Sequence, residues 1–291
     1  SELIVYDSDE SANRTNIEEN IGGYYDIPLA GLLDENPGAA AAYSLRRLSS
    51  TYTGSAVQVQ RADNVGGTHE IGFDSYGELD TTALTTAAQG NDMVVVTWYD
   101  QSGNGNDATQ PSSGARPKIY DGQDGVVTEN GKPAVFINDT YWQTTSAVFS
   151  AGDDFELFSV FSGSPDTGGS SLWVGNPTLY NSGYVGLTSP SNTSSVVSSG
   201  WSNVAFRKNT ATINSPTRKS LNDNWVTTSQ VLIGASGENL TDGNQTSTLR
   251  LMAYQAGTIT GNLSEYVIYN SDQSANRTNI EDNINFFYDI Y

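Results

Sequence analysis

The chain lacks cysteine, has a single histidine and carries few basic residues, and each shortage excludes a kind of site. Without cysteine there is no disulfide framework, no thiolate metal site and no cysteine nucleophile. His69 alone cannot build a multi-histidine metal site, and a Ser-His-Asp triad could form only around it. The 13 basic residues face 33 acidic ones, a net charge of −20. Nucleic acids and anionic membranes are bound through clustered Lys and Arg, so we predict neither partner.

Long apolar runs are also missing, and none approaches the roughly 18 residues of a membrane span. Short β-branched and aromatic runs alternate instead with turns rich in Gly, Ser, Thr, Asn and Asp. This pattern is typical of an all-β sandwich or jelly roll. The predicted strands are 56–61, 93–99, 134–137, 155–161, 171–174, 184–187, 231–233, 249–254 and 265–269. The Ala-rich run AAAAYSLRRLSS, from Ala39, predicts a helix.

One motif occurs twice, at the two ends of the chain. Segments 1–27 and 264–290 are identical at 18 of 27 positions. Each begins with a strand-like run, LIVY or YVIY, followed by SANRTNIE and an i, i+4, i+7 stripe, which is Ile17, Ile21 and Tyr24 in the first copy. Thr15 and Glu18 have capping-box spacing, as do Thr278 and Glu281. Each copy therefore predicts a last strand followed by a short closing helix.

A motif that recurs after one domain length indicates a slice of a tandem array. We expect residues 1–27 to be the tail of an upstream repeat, 28–36 to be a linker in which Leu29, Leu32 and Leu33 can dock, and 37–291 to be one complete domain. Both tails could simply pack against this domain. Alternatively, the first tail docks on a neighbouring subunit, so neighbouring copies of the protein or repeat are predicted partners.

Two stretches carry a family resemblance. PGAAAAYSLRRLSSTYTGSAVQVQR resembles the opening of the arabinofuranosidase B catalytic domain. VVVTWYDQSGNGNDATQ resembles a core motif of that domain and of concanavalin A-like (laminin-G-like) jelly rolls. The tail motif resembles the ends of jelly-roll modules in marine phage and bacterial surface proteins. The resemblance implies a concanavalin A-like jelly-roll sandwich, here preceded by a strand-helix arm.

The loop DQSGNGND offers oxygens suited to a hard cation. Asp100, Asn104, Asn106 and Asp107 could hold Ca²⁺, the only cofactor that the sequence suggests. Asp and Asn side chains also bond back to the backbone, and Gly adopts positive φ, which builds a tight turn after a buried strand. We favour the turn, and calcium stays open.

Aromatic side chains in or beside loops could stack on sugar rings. The predicted glycan-binding set is Tyr141, Trp142, Trp173, Tyr180 and Trp201, and the alternative is that most of these fill the core. The predicted ligand is a cell-surface or environmental polysaccharide.

Two functions follow from these features. A glycoside hydrolase needs two nearby carboxylates, and candidate acidic groups are 153, 154 and 156 or 74, 78 and 80, although spacing alone promotes neither. The arabinofuranosidase B resemblance implies carboxylates in a Cys-containing middle region, and this chain has no Cys. We therefore predict a non-catalytic structural or attachment module of a virion (capsid decoration or tail fibre) or extracellular surface assembly. The alternative is an arabinofuranosidase-like glycoside hydrolase, and no catalytic residue is assigned from sequence.

Overall fold

A computed structural model describes residues 3–9, 17, 21, 31–138, 140–165, 173–175, 184–186, 188–189, 191–195, 198–225, 227–241, 248–252 and 259–291. Within them the chain is mostly antiparallel β-sheet with a few short helices, which confirms the predicted β-sandwich. No described helix has the length and apolar character needed to cross a membrane. The concanavalin A-like assignment stays a prediction.

The strands are short and connected by turns. They are β1 (Ala39–Ser44), β2 (Val57–Arg61), β3 (Thr68–Ile71), β4 (Met93–Trp98), β5 (Ala108–Thr109), β6 (Lys118–Asp121), β7 (Gly125–Val126), β8 (Thr128–Glu129), β9 (Lys132–Pro133), β10 (Val135–Asn138), β11 (Trp142–Ala147), β12 (Phe155–Pro165), β13 (Trp173–Gly175), β14 (Tyr184–Val185), β15 (Ser202–Lys208), β16 (Ala211–Thr212), β17 (Thr227–Glu238), β18 (Thr248–Leu251) and β19 (Ile259–Tyr269). The helices are α1 (Leu32–Glu35), α2 (Thr81–Ala88), α3 (Arg218–Trp225) and α4 (Arg277–Tyr288), with a 3₁₀ turn at Ser113–Ala115.

Strand pairing divides the sandwich into two layers. In the back sheet, β19 pairs with β1 and β10 along one edge and with β12 along the other, and β17, β15 and β16 follow β12. In the front sheet, β3, β2, β4, β5, β11, β18, β13 and β14 are successive neighbours. β6 pairs with β4, β7 and β10, which connects the two layers.

The main core lies between the layers because strand side chains alternate between the two faces. On β12, Phe155, Leu157 and Phe161 enter the main core. Phe158 and Val160, on the opposite face, enter a second apolar cluster outside the back sheet. Residues 155–161 of β12 are therefore buried on both faces, although the run includes the polar residues Glu156 and Ser159.

Helix α4 covers the outer face of the back sheet. Ile280, Ile284 and Tyr288 form its buried stripe against β1, β12, β17 and β19. Full burial of each such side chain contributes about 1.5–3 kcal/mol. The helix ends at Asp289, in the left-handed region, and the Asn285 side chain accepts hydrogen bonds from the last two backbone N–H groups. This confirms the predicted last strand and closing helix at the end of the chain.

Two buried ion-pair clusters lie under α4. In the first, Glu156 accepts hydrogen bonds from Arg207 and from Arg277 (2.7 and 2.9 Å), and Arg207 also bonds Glu281 at 3.2 Å. Burial raises the pKa of Glu281, which the nearby arginines oppose. The hydrogen bond to Glu156 raises the pKa of Arg277.

The second cluster centres on Glu265, which is fully buried on β19. Arg46 donates to both of its carboxylate oxygens, at 2.8 and 3.0 Å, and also bonds Asn283 of α4. The Tyr288 hydroxyl lies 3.3 Å from Glu265, and burial raises the pKa of this tyrosine well above its usual value. Both clusters thus tie the helix to the sheet by charge as well as by apolar contact.

The predicted helix from Ala39 is wrong, because Ala39–Ser44 forms β1 and pairs with β19. Helix propensity is a weak preference that tertiary contacts override. All six residues are buried, and small alanines fit where one face meets α4 and the other meets the main core.

The two tails differ in the described residues. Residues 3–6 form no strand and are exposed, at 88% for Leu3 and 81% for Val5, so the strand prediction fails there. Ile17 and Ile21 are helical and half-buried. In the second tail no capping box forms, because α4 is preceded by Asn276 and Glu281 instead bonds Arg207.

The predicted linker is partly structured. Leu32 and Leu33 lie in α1 and are buried in the cluster under α4, which confirms that they dock. Leu29 lies outside the described residues. The domain boundaries at 27 and 36 stay predictions.

Glu156→Ala should lower the free energy of unfolding by about 3–5 kcal/mol, because the buried Arg207 and the half-buried Arg277 both lose this carboxylate partner. Asp223→Ala breaks the exposed pair with Lys219 and should cost no more than about 1 kcal/mol. Urea denaturation of both variants measures the contrast. Equal losses of unfolding free energy in the two variants would contradict this prediction, because the buried cluster would then stabilise the fold no more than the exposed pair.

Candidate functional site

The outer face of the front sheet carries a row of polar side chains in cross-strand register. Glu70 lies opposite Gln58, Gln58 opposite Thr97, and Thr97 opposite Thr109. Gln143 then pairs with Thr109 on one side and with Arg250 on the other. We call these six residues the polar row: Glu70, Gln58, Thr97, Thr109, Gln143 and Arg250. At about 4.8 Å per strand, the row runs about 24 Å across the sheet.

The row is accessible, whereas the residues beside it along each strand point into the core. Glu70 is exposed and the other five members are half-buried. Their strand neighbours Val57, Trp98 and Trp142 are fully buried. A face lined with amide, hydroxyl, carboxylate and guanidinium groups can exchange hydrogen bonds with a polyhydroxylated ligand.

Hydrogen bonds orient the two ends of the row. Gln58 Nε2 donates to Glu70 Oε1 at 2.7 Å, and Gln143 Nε2 donates to Thr248 Oγ1 at 3.1 Å. The Arg250 guanidinium lies 4.4 Å from the centre of the Tyr141 ring, a cation–π contact.

Carboxylates and tyrosines gather at the Glu70 end. The Tyr99 hydroxyl donates to Glu70 Oε1 at 3.2 Å. Burial, then the charge of Glu70, raises the pKa of Tyr99 to about 12, and Asp107 adds to the shift. Burial raises the pKa of Tyr52 to about 12 as well, with Asp107, Asp100 and Glu70 contributing. Both hydroxyls are therefore protonated at neutral pH beside two carboxylates, Glu70 and Asp107.

Side chains of the Asp100 loop form hydrogen bonds with the backbone of β1. Asp100 accepts hydrogen bonds from the backbone N–H groups of Ala42 (2.8 Å), Ser102 (2.9 Å) and Asn106 (2.9 Å) and from the Ser102 hydroxyl (2.8 Å). Asp107 accepts from the Asp100 N–H at 3.0 Å.

The two asparagines of the same loop act as donors. Asn104 donates to the carbonyl oxygens of Ala39 and Ala40, and Asn106 donates to Ala40. Gly103 and Gly105 have positive φ, as the tight turn requires. No group of three or more His, Cys, Asp or Glu suited to a metal occurs among the described residues. Calcium at Asp100, Asn104, Asn106 and Asp107 stays a prediction.

Two described members of the predicted aromatic set pack in or beside the core. Trp142 is fully buried against Trp98, with ring centres 5.2 Å apart, so it cannot stack on a sugar. Trp201 packs edge-on against Phe149 and Phe155 at the margin of the core. The large apolar area of an indole makes core packing the stronger demand.

The other three members lie in different situations. Tyr141 is half-buried and adjoins the polar row through Arg250. The Trp173 backbone pairs with Leu251 in the front sheet. Tyr180 lies outside the described residues.

The acidic groups considered from sequence have structural partners. Asp74 and Asp80 bond the backbone of a turn and the start of α2, while Glu78 pairs with Lys132. Asp153 and Asp154 accept backbone hydrogen bonds from Ser150 and Asn239, and Glu156 lies in the buried cluster. His69 is exposed on β3.

A shallow groove of about 360 Å³ lies elsewhere, beside β6 and β7, where Lys118, Asp121 and Phe136 line it. Lys118 bonds Asp121 and lowers the pKa of that carboxyl to about 2. Lys118, the basic residue of this lining, is thus shared between Asp121 and Asp92, which leaves the polar row as the better candidate.

The comparisons with known proteins bear on the same strands. A family model described as "Alpha-L-arabinofuranosidase B, catalytic" matches residues 33–169. This part of the chain is similar to an arabinofuranosidase catalytic domain. It contains β2, β3, β4, β5 and β11, which carry every member of the polar row except Arg250.

Two individual relatives show the same similarity to arabinofuranosidase B. The alpha-L-arabinofuranosidase B of Emericella nidulans is 34% identical over 153 residues, which is 48% of this chain and 30% of that protein. The alpha-L-arabinofuranosidase B of Aspergillus niger is 33% identical over 112 residues, covering 38% of this chain and 22% of the relative. The chain thus spans less than a third of the length of these curated relatives.

Solved structures show the same fold. An arabinofuranosidase complexed with arabinofuranosyl-alpha-1,2-xylobiose matches with a TM-score of 0.58 and 18% identity, over 87% of this chain and 64% of that chain. A mutant of a GH54 a-l-arabinofuranosidase soaked with 4-nitrophenyl a-l-arabinofuranoside matches equally well, at 17% identity.

These findings correct the preferred functional prediction. The relatives are fungal arabinofuranosidases rather than phage or virion proteins, and a non-catalytic structural module of a virion is contradicted. The prediction was wrong because it gave the absence of cysteine more weight than the resemblance of two stretches to the arabinofuranosidase B catalytic domain.

Asp100→Ala should destabilise the chain by about 3 kcal/mol, since it removes the acceptor of four hydrogen bonds and leaves buried N–H donors unsatisfied. Asp124→Ala, in an exposed turn, is the control and should stay within about 0.5 kcal/mol.

The unaltered chain should unfold at the same Tm in EDTA and in about 2 mM CaCl₂, a concentration that would fill even a weak calcium site. A Tm that rises with calcium would contradict this expectation and favour calcium binding by the Asp100 loop.

Proposed function

We propose that this chain is a glycoside hydrolase acting on α-L-arabinofuranosidic bonds, with the glycan lying across the polar row. The observation that carries the proposal is the family match over residues 33–169, which contains five of the six polar-row residues. The predicted polysaccharide partner is retained, now as substrate, and such a polymer places the protein outside the cell.

Solvent exposure separates the carboxylates that a substrate can reach from those that it cannot. Glycoside hydrolysis needs one carboxylic acid to protonate the leaving oxygen and one carboxylate to attack the sugar or activate water. Glu156 and Glu265 are fully buried and bound to arginines, so substrate cannot reach them. Glu70 is exposed and Asp107 half-buried, and both act electrostatically on Tyr52 and Tyr99.

The neighbouring groups suit these roles. Gln58 and the Tyr99 hydroxyl hold Glu70 in position through two hydrogen bonds to one oxygen. Tyr52 packs edge-on against Phe73, which fixes its ring. The rest of the row, to Arg250 and Tyr141, offers donors and an aromatic face for the sugars beyond the reacting one.

Glu70→Gln and Asp107→Asn should each lower kcat by at least about 100-fold, because each removes a proton-transfer or charge-stabilising group. Release of nitrophenol from 4-nitrophenyl α-L-arabinofuranoside measures the effect. Asp282→Asn, exposed on α4 at the other side of the sandwich, is the matched control and should keep full activity. A parent chain that releases no sugar, or variants that keep its rate, would overturn the proposal.

Gln143→Ala should raise KM for an arabinofuranosyl oligosaccharide about tenfold, the loss of one or two hydrogen bonds, and leave kcat within about twofold. Gln143 lies four strands from Glu70 in the row, so it binds sugar without touching the reacting bond. Gln123→Ala, in an exposed turn, is the control. A fall in kcat with KM unchanged would contradict this division of roles.

A further inference from the structure

Residues 264–291, which we call the closing segment, comprise most of β19 and all of α4. The surface of the domain that they contact is called their seat. Glu265 bonds Arg46, Arg277 bonds Glu156, and Glu281 bonds Arg207. The partners of these three residues, Arg46, Glu156 and Arg207, come from the body of the sandwich, which we define as residues 31–263. Three apolar or aromatic side chains complete the contact: Ile280, Ile284 and Tyr288.

The first tail repeats every one of these six residues at the same spacing. Counterparts of the charged residues are Glu2, Arg14 and Glu18, and counterparts of the other three are Ile17, Ile21 and Tyr25. Where the copies differ in the strand, they exchange one apolar residue for another: Leu3 for Tyr266, Ile4 for Val267, Val5 for Ile268. The six residues that form the ion pairs and the helix stripe are therefore identical in both copies, and the strand positions that differ keep their apolar or aromatic character.

The seat on this body is already filled. Residues 265–269 of β19 pair with β1 along one edge and with β12 along the other, and α4 covers the sheet outside them. Residues 3–6 are correspondingly exposed, whereas their counterparts 266–269 are fully buried. An exposed apolar run with strand propensity marks a binding segment.

We propose that residues 1–27 are a closing segment for a second copy of this body, where they take the place that residues 264–291 take here. The second body would offer its own Arg46, Glu156 and Arg207 to Glu2, Arg14 and Glu18. The segment then joins neighbouring copies by the same contacts that complete a single copy.

A graft tests whether the first tail fits the seat. In the full chain, residues 264–290 are replaced by the sequence of residues 1–27. We expect cooperative unfolding with Tm lowered by no more than about 15 °C, from the smaller Leu in place of Tyr266 and two glycines in the helix. The control graft is a shuffled segment of the same composition, which should abolish the cooperative transition. A first-tail graft that behaves like the shuffled one would overturn the proposal.

A second experiment tests exchange between chains. Arg277→Ala with Glu281→Ala weakens the chain's own closing segment and frees Glu156 and Arg207 for the Arg14 and Glu18 of a neighbour. We expect oligomers that grow with protein concentration in light scattering, and monomers when residues 1–27 are deleted from the same variant. Monomers at every concentration, or oligomers that survive the deletion, would each contradict the proposal.

Discussion

The attachment of α4 to the back sheet is the interaction on which the rest of the structure depends. Buried charges are costly unless they are fully paired, and Glu156 and Glu265 are paired only when α4 supplies Arg277 and Tyr288 and when Arg46 and Arg207 lie in place. These contacts join β12, β15, β19 and the segment just after β1 to one helix. The strands at the centre of the back sheet, β1, β12 and β19, therefore bury side chains on both faces.

That arrangement leaves the front sheet free for function. Because α4 covers one outer face, the opposite outer face is the one that carries half-buried polar groups in register. The Asp100 loop supports it from the side, since its hydrogen bonds fix β1 against the end of β4, next to Tyr99 and Asp107. The polar row, which is the proposed binding face, thus lies on the side of the front sheet that faces away from the main core.

The sequence predicted much of this fold and little of the site. Strands such as 155–161 and the strand-helix tail were recognisable because their apolar periodicity is local. The alanine run 39–44 was assigned to a helix because its strand state depends on pairing with residues 265–269, far along the chain. Trp142 was taken for a ligand platform because nothing local shows that it faces Trp98. The polar row was missed for the same reason, since its members are ordinary polar positions until five strand registers align them.

Hydrogen–deuterium exchange, with and without an arabinofuranosyl oligosaccharide, would locate the bound glycan without relying on any variant. If the glycan lies across the polar row, exchange slows in β2, β4, β11 and β18 when the oligosaccharide is present and does not change in α4. Protection at α4 or in the groove beside β6 and β7, with the front sheet unaffected, would contradict it.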